Sequence, residues 1–115
     1  EAEFDVLLII PDDHLGSTKI VEYLIKETLR KKVPVVGYNS WFAKNGAVLS
    51  YIIDYKGIGI QTGTIVQGML AGGIAGTAGF IPPERIKISL DVKTAEKIKV
   101  TLSPAIIKQA DEVLR

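Results

Sequence analysis

The sequence predicts an α/β fold built around a parallel sheet. An apolar run without alternation occupies residues 6–10, and a second, short one follows at residues 33–37. Unbroken apolar runs of this length are typical of strands that are covered on both faces. An amphipathic helix separates the two runs, and the whole span of about thirty residues has the length of one βαβ unit with a right-handed crossover.

Composition narrows the classes of function. The chain has 115 residues with 14 Lys and Arg against 13 Asp and Glu, and 47% of its residues are hydrophobic. These values are typical of a globular protein and exclude a strongly basic nucleic-acid binder. The chain has no cysteine and one histidine, His14, so disulfide scaffolds, thiolate zinc sites and His-rich metal clusters are excluded. We therefore predict no metal, no cofactor and no nucleic-acid partner.

The first helix has clear boundaries. Ser17 or Thr18 can cap its start, and Pro34 prevents its continuation. Its inward side is predicted from apolar residues at three-to-four spacing, namely Ile20, Val21, Leu24, Ile25 and Leu29.

In the middle of the chain, the residue pattern predicts a helical turn over residues 39–46, a third strand over residues 47–53 and a helix over residues 56–70. No charge occurs from residue 57 to residue 83, a length that could span a bilayer. Eight of the eleven glycines fall between Gly57 and Gly79, and polar residues are interspersed. We therefore favour a buried helix followed by a mobile, glycine-rich loop over residues 71–83. The predicted apolar side of the helix consists of Ile58, Thr62, Ile65, Val66 and Met69.

The last third of the chain changes its pattern. Ile86, Ile88 and Leu90 alternate with Lys87 and Ser89, which predicts a half-buried or edge strand. A short helix is expected over residues 94–98. The pair at 103–104 combines a serine cap with a proline at the first helical position, so a last helix starts there. Its apolar stripe is predicted to comprise Ile106, Ile107, Ala110, Val113 and Leu114.

Candidate binding residues follow the predicted strands. In an open α/β sheet, ligands bind at the loops that leave the carboxyl ends of the strands. Those loops hold hydrogen-bonding and aromatic side chains suited to a small polar molecule. An equally weighted alternative is that Asp12, Asp13 and Asn39 serve only turns and helix caps. Residues such as Trp41 and Phe42 more often belong to the core than to a stacking surface. The candidates are Asp12, Asp13, Tyr38, Asn39, Trp41 and Asp54.

Catalytic patterns are weak, and we predict no catalytic residues. Asp12, Asp13 and His14 are adjacent, and adjacent residues rarely converge on one ion. No Gly-x-Ser-x-Gly elbow is present. Gly57, Gly59 and Gly63 follow a strand in the manner of a dinucleotide fingerprint, but the spacing differs and no carboxylate follows about twenty residues later. A dinucleotide-binding enzyme therefore remains a lesser alternative.

Five segments of the chain together resemble a known family. In order they are residues 5–12 (DVLLIIPD), 32–38 (KVPVVGY), 45–49 (NGAVL), 53–63 (IDYKGIGIQTG) and 88–95 (ISLDVKTA). They resemble the C-terminal part of the substrate-binding components of bacterial ABC importers, in the tryptophan-binding-protein-like branch. The likeness covers nearly the whole chain.

The resemblance implies an incomplete type I periplasmic-binding-protein fold, of which this chain would form a three-layer parallel-sheet lobe. In the complete fold, two α/β lobes close on a solute. Residues 1–50 would belong to the second lobe. Residues 51–80 would hold a hinge crossing and a helix of the first lobe, and residues 81–115 a return strand and the last helix of the second lobe. Hinge crossings are expected near residues 51–54 and 79–84. The family's cleft contacts match Asp12, Asp13, Tyr38, Asn39 and Asp54.

The function implied by the resemblance is non-enzymatic binding of a small polar metabolite, for which an amino acid is the first candidate. The three aspartates suit an amino group, and Tyr38 and Trp41 suit an apolar side chain. An ABC permease would be the protein partner, and the location would be extracytoplasmic. The alternative within this fold is the ligand-sensing domain of a signalling protein.

The start and the length of the chain carry two further expectations. The first residues include no Met and no export signal, which favours a piece of a longer protein over the processed start of a mature one. If the first lobe is absent, the apolar side of the helix over residues 56–70 lacks its partner. We then expect the isolated chain to form a homodimer or to exchange elements between two copies.

Overall fold

The computed structural model describes residues 4–15, 17–73 and 79–115, which form an α/β structure. Within these residues five strands make one mostly parallel sheet in the order β1-β2-β3-β4-β5, and the pairs β1–β2, β2–β3 and β4–β5 are parallel. The predicted fold class is thus confirmed. The strands are Leu7–Leu8 (β1), Val35–Gly37 (β2), Leu49–Ile53 (β3), Ile86–Asp91 (β4) and Glu112–Leu114 (β5).

Helices connect most of these strands. A short 3-10 turn, Asp13–Leu15, precedes the first helix. The helices are Thr18–Arg30 (α1), Ser40–Lys44 (α2), Tyr55–Leu70 (α3), Val92–Lys97 (α4) and Pro104–Gln109 (α5). All but the last lie within a few residues of their predicted bounds. Side chains cap the starts of α2, α3 and α4, whereas Ser17, the residue before α1, makes no side-chain cap hydrogen bond.

The chain divides into two compact units. The first comprises Glu1–Ile52 and Lys87–Arg115, and the second comprises Ile53–Ile86. The first unit therefore holds most of the sheet together with α1, α2, α4 and α5, whereas the second holds α3 and the segment that follows it.

The main core of the first unit lies between α1 and the first two strands. Val21 and Ile25 of α1 are buried against Ile9 and Val35. Burying one such side chain contributes about 1.5–3 kcal/mol, so this cluster stabilises the packing of α1 on the sheet. The buried hydroxyl of Thr28 donates to the carbonyl oxygens of Leu24 and Ile25, both at 2.9 Å, so α1 buries it with its hydrogen bonds satisfied.

A second cluster forms where α4 packs. Val48, Ala95 and Ile98 are buried there, and Leu29 of α1 packs against them. The helix is fixed at its start by Asp91, whose Oδ1 accepts from the backbone N–H of Thr94 at 2.9 Å. Since Leu29 packs against both clusters, α1 links the two parts of the core.

The first strand differs from its prediction. It is confined to Leu7–Leu8, and alternate residues of the apolar run are exposed: Val6 by 49%, Leu8 by 59% and Ile10 by 59%. Ile9 is only 4% exposed. The expectation that both sides of this run are covered is therefore wrong for the described part of the chain, where one side packs on the core and the other faces solvent.

The fourth strand is not at an edge, contrary to one of the two predicted alternatives. It lies between β3 and β5, and consecutive residues near its end, Ser89 and Leu90, are 1% and 0% exposed. The alternation of Lys and Ser with apolar residues suggested a solvated face. Ser89 lies on that face and is buried instead. The Oγ atoms of Ser50 and Ser89 are buried without a hydrogen-bond partner.

The last predicted helix is shorter than expected. Helix α5 ends at Gln109 because Ala110 adopts an extended conformation, with ψ 138°. The backbone N–H of Asp111 then donates to the carbonyl of Ile88, and Asp111 Oδ2 accepts from the Ile88 N–H, both at 2.9 Å. This pairing begins β5, which takes Val113 and Leu114 out of the predicted helical stripe.

In the second unit, α3 starts at its predicted position but is not buried. Asp54 caps it by accepting from the Gly57 N–H at 3.3 Å. No residue of the helix is buried, and Val66, Met69 and Leu70 are 45%, 46% and 83% exposed. The prediction of a buried helix is therefore wrong within the described residues. No described helix has the length and apolar character needed to cross a bilayer.

Gln61 of α3 binds the segment that follows the helix. Gln61 Nε2 donates to the carbonyl oxygen of Pro82 at 3.0 Å, and Gln61 Oε1 accepts from the backbone N–H of Glu84 at 3.2 Å. The predicted mobile loop over residues 71–83 includes residues 74–78, which lie outside the described part of the chain, so its mobility stays a prediction.

Candidate functional site

A pocket of about 220 Å3 lies in the first unit, beyond the carboxyl ends of β1 and β2. Four of the six predicted site residues line it: Asp12, Tyr38, Asn39 and Trp41. The loops after two neighbouring parallel strands therefore bring these side chains to one place, as the topology of an open sheet requires. The complete lining consists of Asp12, Leu15, Thr18, Val21, Tyr38, Asn39, Trp41 and Phe42.

Asn39 fixes the start of α2. Its Oδ1 accepts from the backbone N–H of Trp41 at 2.9 Å and from that of Phe42 at 3.3 Å. Asparagine is among the best residues for this role because a short amide side chain reaches the unpaired N–H groups of the first turn. At the other end of the same short helix, Asn45 Nδ2 donates to the Trp41 carbonyl at 2.7 Å. Both hydrogen-bonding asparagines thus hold the backbone that carries Trp41.

Three aromatic rings form one wall of the pocket, which we call the aromatic wall: Tyr38, Trp41 and Phe42. Phe42 is 3% exposed and lies between the other two rings. Its centroid is 4.8 Å from that of Tyr38 with planes at 50°, and 5.2 Å from that of Trp41 with planes at 87°. Such tilted and edge-to-face pairs are favourable arrangements. Phe42 is a core residue, whereas Tyr38 and Trp41 are half-buried.

The two adjacent aspartates lie in different places, because the 3-10 turn begins between them. Asp12 lines the pocket and is exposed, and its carbonyl accepts from the Leu15 N–H at 3.1 Å, which closes the turn. Asp13 is exposed on the turn and is not among the residues that line the pocket. The pocket lining therefore contains one charged residue, Asp12, and its carboxylate favours a positively charged group on any ligand.

Asp54 belongs to the second unit, where it caps α3 and lines a different cavity of about 400 Å3. The charged groups around that cavity are Asp54, Glu84 and Arg85. The other lining residues are four isoleucines together with Gly57, Gln61 and Thr64. The predicted cleft contact at Asp54 stays a prediction.

Four lining residues were not among the six candidates: Leu15, Thr18, Val21 and Phe42. Phe42 was expected in the core and is buried there, at the edge of the pocket. Thr18 and Val21 lie one turn apart at the start of α1, and Leu15 ends the 3-10 turn. The signal was available in part, because α1 begins directly after the loop that carries Asp12. Residues three apart in its first turns therefore face the same side as that loop.

The described residues bear on two other kinds of site, a metal site and a dinucleotide-binding turn. Within them, no group of three or more His, Cys, Asp or Glu side chains is arranged to hold a metal ion. Gly57, Gly59 and Gly63 all lie inside α3 rather than in a turn before a helix. A dinucleotide fingerprint needs its glycines in that turn to admit the pyrophosphate, so this segment does not form one.

Comparison with known proteins places these features in context. A protein-family profile described as ABC transporter substrate binding protein matches residues 2–114. A crystal structure of a conserved domain protein from Vibrio cholerae O1 biovar eltor is similar to 95% of this chain, with 25% identity and a TM-score of 0.67. The structure of an ABC domain in complex with L-Trp from Streptococcus pneumonia is similar to 96% of it, with 19% identity and a TM-score of 0.65.

The chain spans 36% and 38% of the lengths of these two solved chains. A comparison with curated protein sequences gives no match. The family profile covers almost every residue, and both solved structures share the fold, so the family inferred from five sequence segments is confirmed. This chain belongs to the family of ABC transporter substrate binding proteins.

Proposed function

We propose that this chain supplies one wall of the solute-binding cleft of an ABC importer's substrate-binding protein, and that the solute is an amino acid or a related small polar metabolite. The observation that carries the proposal is the pocket at the ends of β1 and β2. It combines one carboxylate, one amide and the aromatic wall in a single concave surface. A few polar groups set among apolar ones are the usual composition of small-molecule sites.

The lining groups match the parts of an amino acid. Asp12 is suited to the ammonium group, because a charge-assisted hydrogen bond is stronger than a neutral one. Asn39 uses its Oδ1 for the α2 cap, so its Nδ2 group is what it offers a carboxylate oxygen. Tyr38 and Trp41 offer half-buried ring surface to an apolar or aromatic side chain.

The size of the pocket supports a shared cleft. Its volume of about 220 Å3 is below the roughly 300–1,000 Å3 of ordinary ligand pockets. A solute larger than a few heavy atoms would therefore need a second surface to enclose it. Solutes bound between two lobes meet this requirement, and we propose that the other lobe supplies the second surface.

The proposal extends to the setting of the protein. The L-Trp in the Streptococcus pneumonia structure makes an aromatic amino acid the first solute to test here. An ABC permease is the proposed partner, and an extracytoplasmic location follows from that role. Binding without chemical conversion of the solute is the proposed activity, in keeping with a family described as substrate-binding.

The test is a thermal and chemical unfolding screen of the native-length protein against the common amino acids. A ligand at one hundred times its dissociation constant should add about 2.7 kcal/mol to the free energy of unfolding. For a hit such as L-tryptophan, tryptamine and indole-3-propionate serve as matched controls that each lack one charged group. Absence of stabilisation by any amino acid or related metabolite would contradict the proposal.

Two adjacent substitutions test the placement of the ammonium group. Asp12→Asn should weaken binding of the amino acid by about tenfold or more, because a hydrogen bond to a charged group contributes about 1.5–3 kcal/mol. Asp13→Asn changes the neighbouring carboxylate, which lies off the pocket, and should change affinity much less. Equal losses of affinity in the two variants would contradict the placement of the ammonium group at Asp12.

A further inference from the structure

Gly37 is the last residue of β2, and it is buried beneath the aromatic wall. A Cβ atom placed on it would lie 2.2 Å from Phe42 Cβ, 2.4 Å from Phe42 Cγ and 2.9 Å from Phe42 Cδ1. The described glycines with positive φ are Gly46 and Gly72, so Gly37 needs no left-handed backbone. Space alone explains the glycine at this position.

The contact with Phe42 Cβ cannot be relieved by turning the ring. The position of a Cβ atom is set by the backbone, so rotation about χ1 leaves it where it is. A side chain at position 37 would therefore have to displace the backbone of α2 away from β2. Helix α2 carries Trp41 and Phe42 together, and its cap is Asn39. The displacement would reach three residues of the pocket lining at once.

The aromatic wall transmits the same displacement to Tyr38. Phe42 is in ring contact with both Tyr38 and Trp41, at centroid distances of 4.8 Å and 5.2 Å. A shift of Phe42 by a fraction of these distances separates or crowds both pairs. The position of every ring in the wall therefore depends on how closely α2 approaches β2 at Gly37.

We infer that Gly37 is a positioning residue for solute specificity: it lets Phe42 seat against β2 and so sets the spacing of the aromatic wall. This inference rests on the proposed function, in which the wall receives the solute's side chain. The class of solute affected is the amino acids with aromatic or large apolar side chains. Amino acids that share the same charged groups but carry a small side chain do not depend on the wall.

The test uses Gly37→Ala in the native-length protein, with L-tryptophan and L-alanine as probes. The affinity for L-tryptophan should fall by about tenfold, the order expected when an aromatic contact is lost, while that for L-alanine stays within about twofold. A simple loss of folded protein would lower both apparent affinities by the same factor. Equal losses would therefore overturn the specificity role.

A spectroscopic measurement decides the positioning claim even if neither probe binds. Trp41 is the single tryptophan of this chain, and its signal is isolated by subtracting the spectrum of a Trp41→Phe variant. Gly37→Ala should shift the Trp41 emission to the red and increase its quenching by acrylamide. An unchanged Trp41 signal would overturn the inference. Failure of wild type to bind any amino acid would overturn the proposed function alone.

Two further variants complete the design. Gly59→Ala is the matched control, because a Cβ at Gly59 meets nothing within 4 Å, and it should leave the Trp41 signal and both affinities unchanged. Phe42→Leu keeps Gly37 but removes the ring between Tyr38 and Trp41. It should reproduce the red shift and the selective loss of L-tryptophan if Gly37→Ala does not fold, and a wild-type signal in this variant would contradict the role of Phe42.

Discussion

Helices α1 and α3 show two outcomes for apolar sequence in one chain. Helix α1 has charged residues along one side and buries Val21, Ile25 and Thr28 in its own unit. Helix α3 is longer, 16 residues against 13, and contains only one charged residue. None of its residues is buried. The difference is the presence of a matching surface: the stripe of α1 meets Ile9 and Val35, whereas no buried cluster among the described residues includes a residue of α3.

The comparison teaches that apolar content alone does not place a helix in a core. A helix that is apolar on most sides is expected to be buried, and α3 has that composition. Burial needs a second surface of complementary shape, and that surface is a property of the whole assembly rather than of the helix. The predictions on self-association, on Leu70 and on Gly63 test whether α3 differs from α1 in this way.

The largest expected effect concerns self-association of the isolated 115-residue chain. Covering ~400 Å2 of apolar surface at ~25 cal/mol per Å2 is worth about 10 kcal/mol before association costs. We predict a homodimer or an exchange of elements, seen by light scattering as twice the 12.5 kDa mass of one chain. Val66→Glu should restore the monomer, because it puts a charge on the half-exposed face of α3. A wild-type chain that stays monomeric at high concentration would contradict the prediction.

A matched pair of leucines measures the contrast in burial. Leu90 of β4 is 0% exposed and Leu70 of α3 is 83% exposed. Leu90→Ala should lower the free energy of unfolding by about 2–5 kcal/mol, because it leaves a cavity in the core. Leu70→Ala should change it by less than about 0.5 kcal/mol. Urea unfolding followed by far-UV circular dichroism gives both values, and similar losses would mean that the end of α3 is buried in solution.

The cap of α2 gives a smaller effect. Asn39→Ala removes the acceptor of two backbone N–H groups and should cost about 1 kcal/mol. Asn39→Asp keeps a side-chain oxygen in the same place and should retain that stability in urea unfolding. If both variants lose the same stability, the cap does not depend on the oxygen.

The smallest effect is expected from one glycine of α3. A Cβ at Gly63 meets nothing within 4 Å, so Gly63→Ala should stabilise the helix by about 0.5–1 kcal/mol through its higher helix propensity. The measurement is helical circular dichroism through thermal unfolding. A loss of stability would indicate that another surface packs closely on this glycine, which would remove the distinction between α3 and α1.

The sequence was most informative where local chemistry decides structure. The helix start at Ser103 and Pro104, the amphipathic stripe of α1 and the position of α3 follow from residues that lie close together. Four of six candidate residues meet in one pocket because β1 and β2 are parallel neighbours, a relation that their spacing already implied.

The predictions from sequence were wrong where contacts with residues distant in the chain determine secondary structure or burial. The residues Val113 and Leu114 fit a helical stripe, but pairing with β4 draws them into a strand. The exposure of Leu8 and the burial of Ser89 likewise depend on what covers each side of the sheet, which no local pattern encodes. The separation of Asp12 from Asp13 depends on a 3-10 turn, for which the two adjacent carboxylates gave no signal.

The double hydrogen bond of Gln61 has a consequence for loop length. It joins α3 to Pro82 and Glu84 at 3.0 Å and 3.2 Å, and so closes the stretch of chain between them into a ring of interactions. The entropy of closing such a loop depends weakly on its length, at about 0.6 kcal/mol for each doubling of a flexible segment. Extra residues between Gly73 and Gly79 would therefore cost little. This connection is where a peptide tag or reporter domain can be inserted while Gln61 keeps its hydrogen bonds to Pro82 and Glu84.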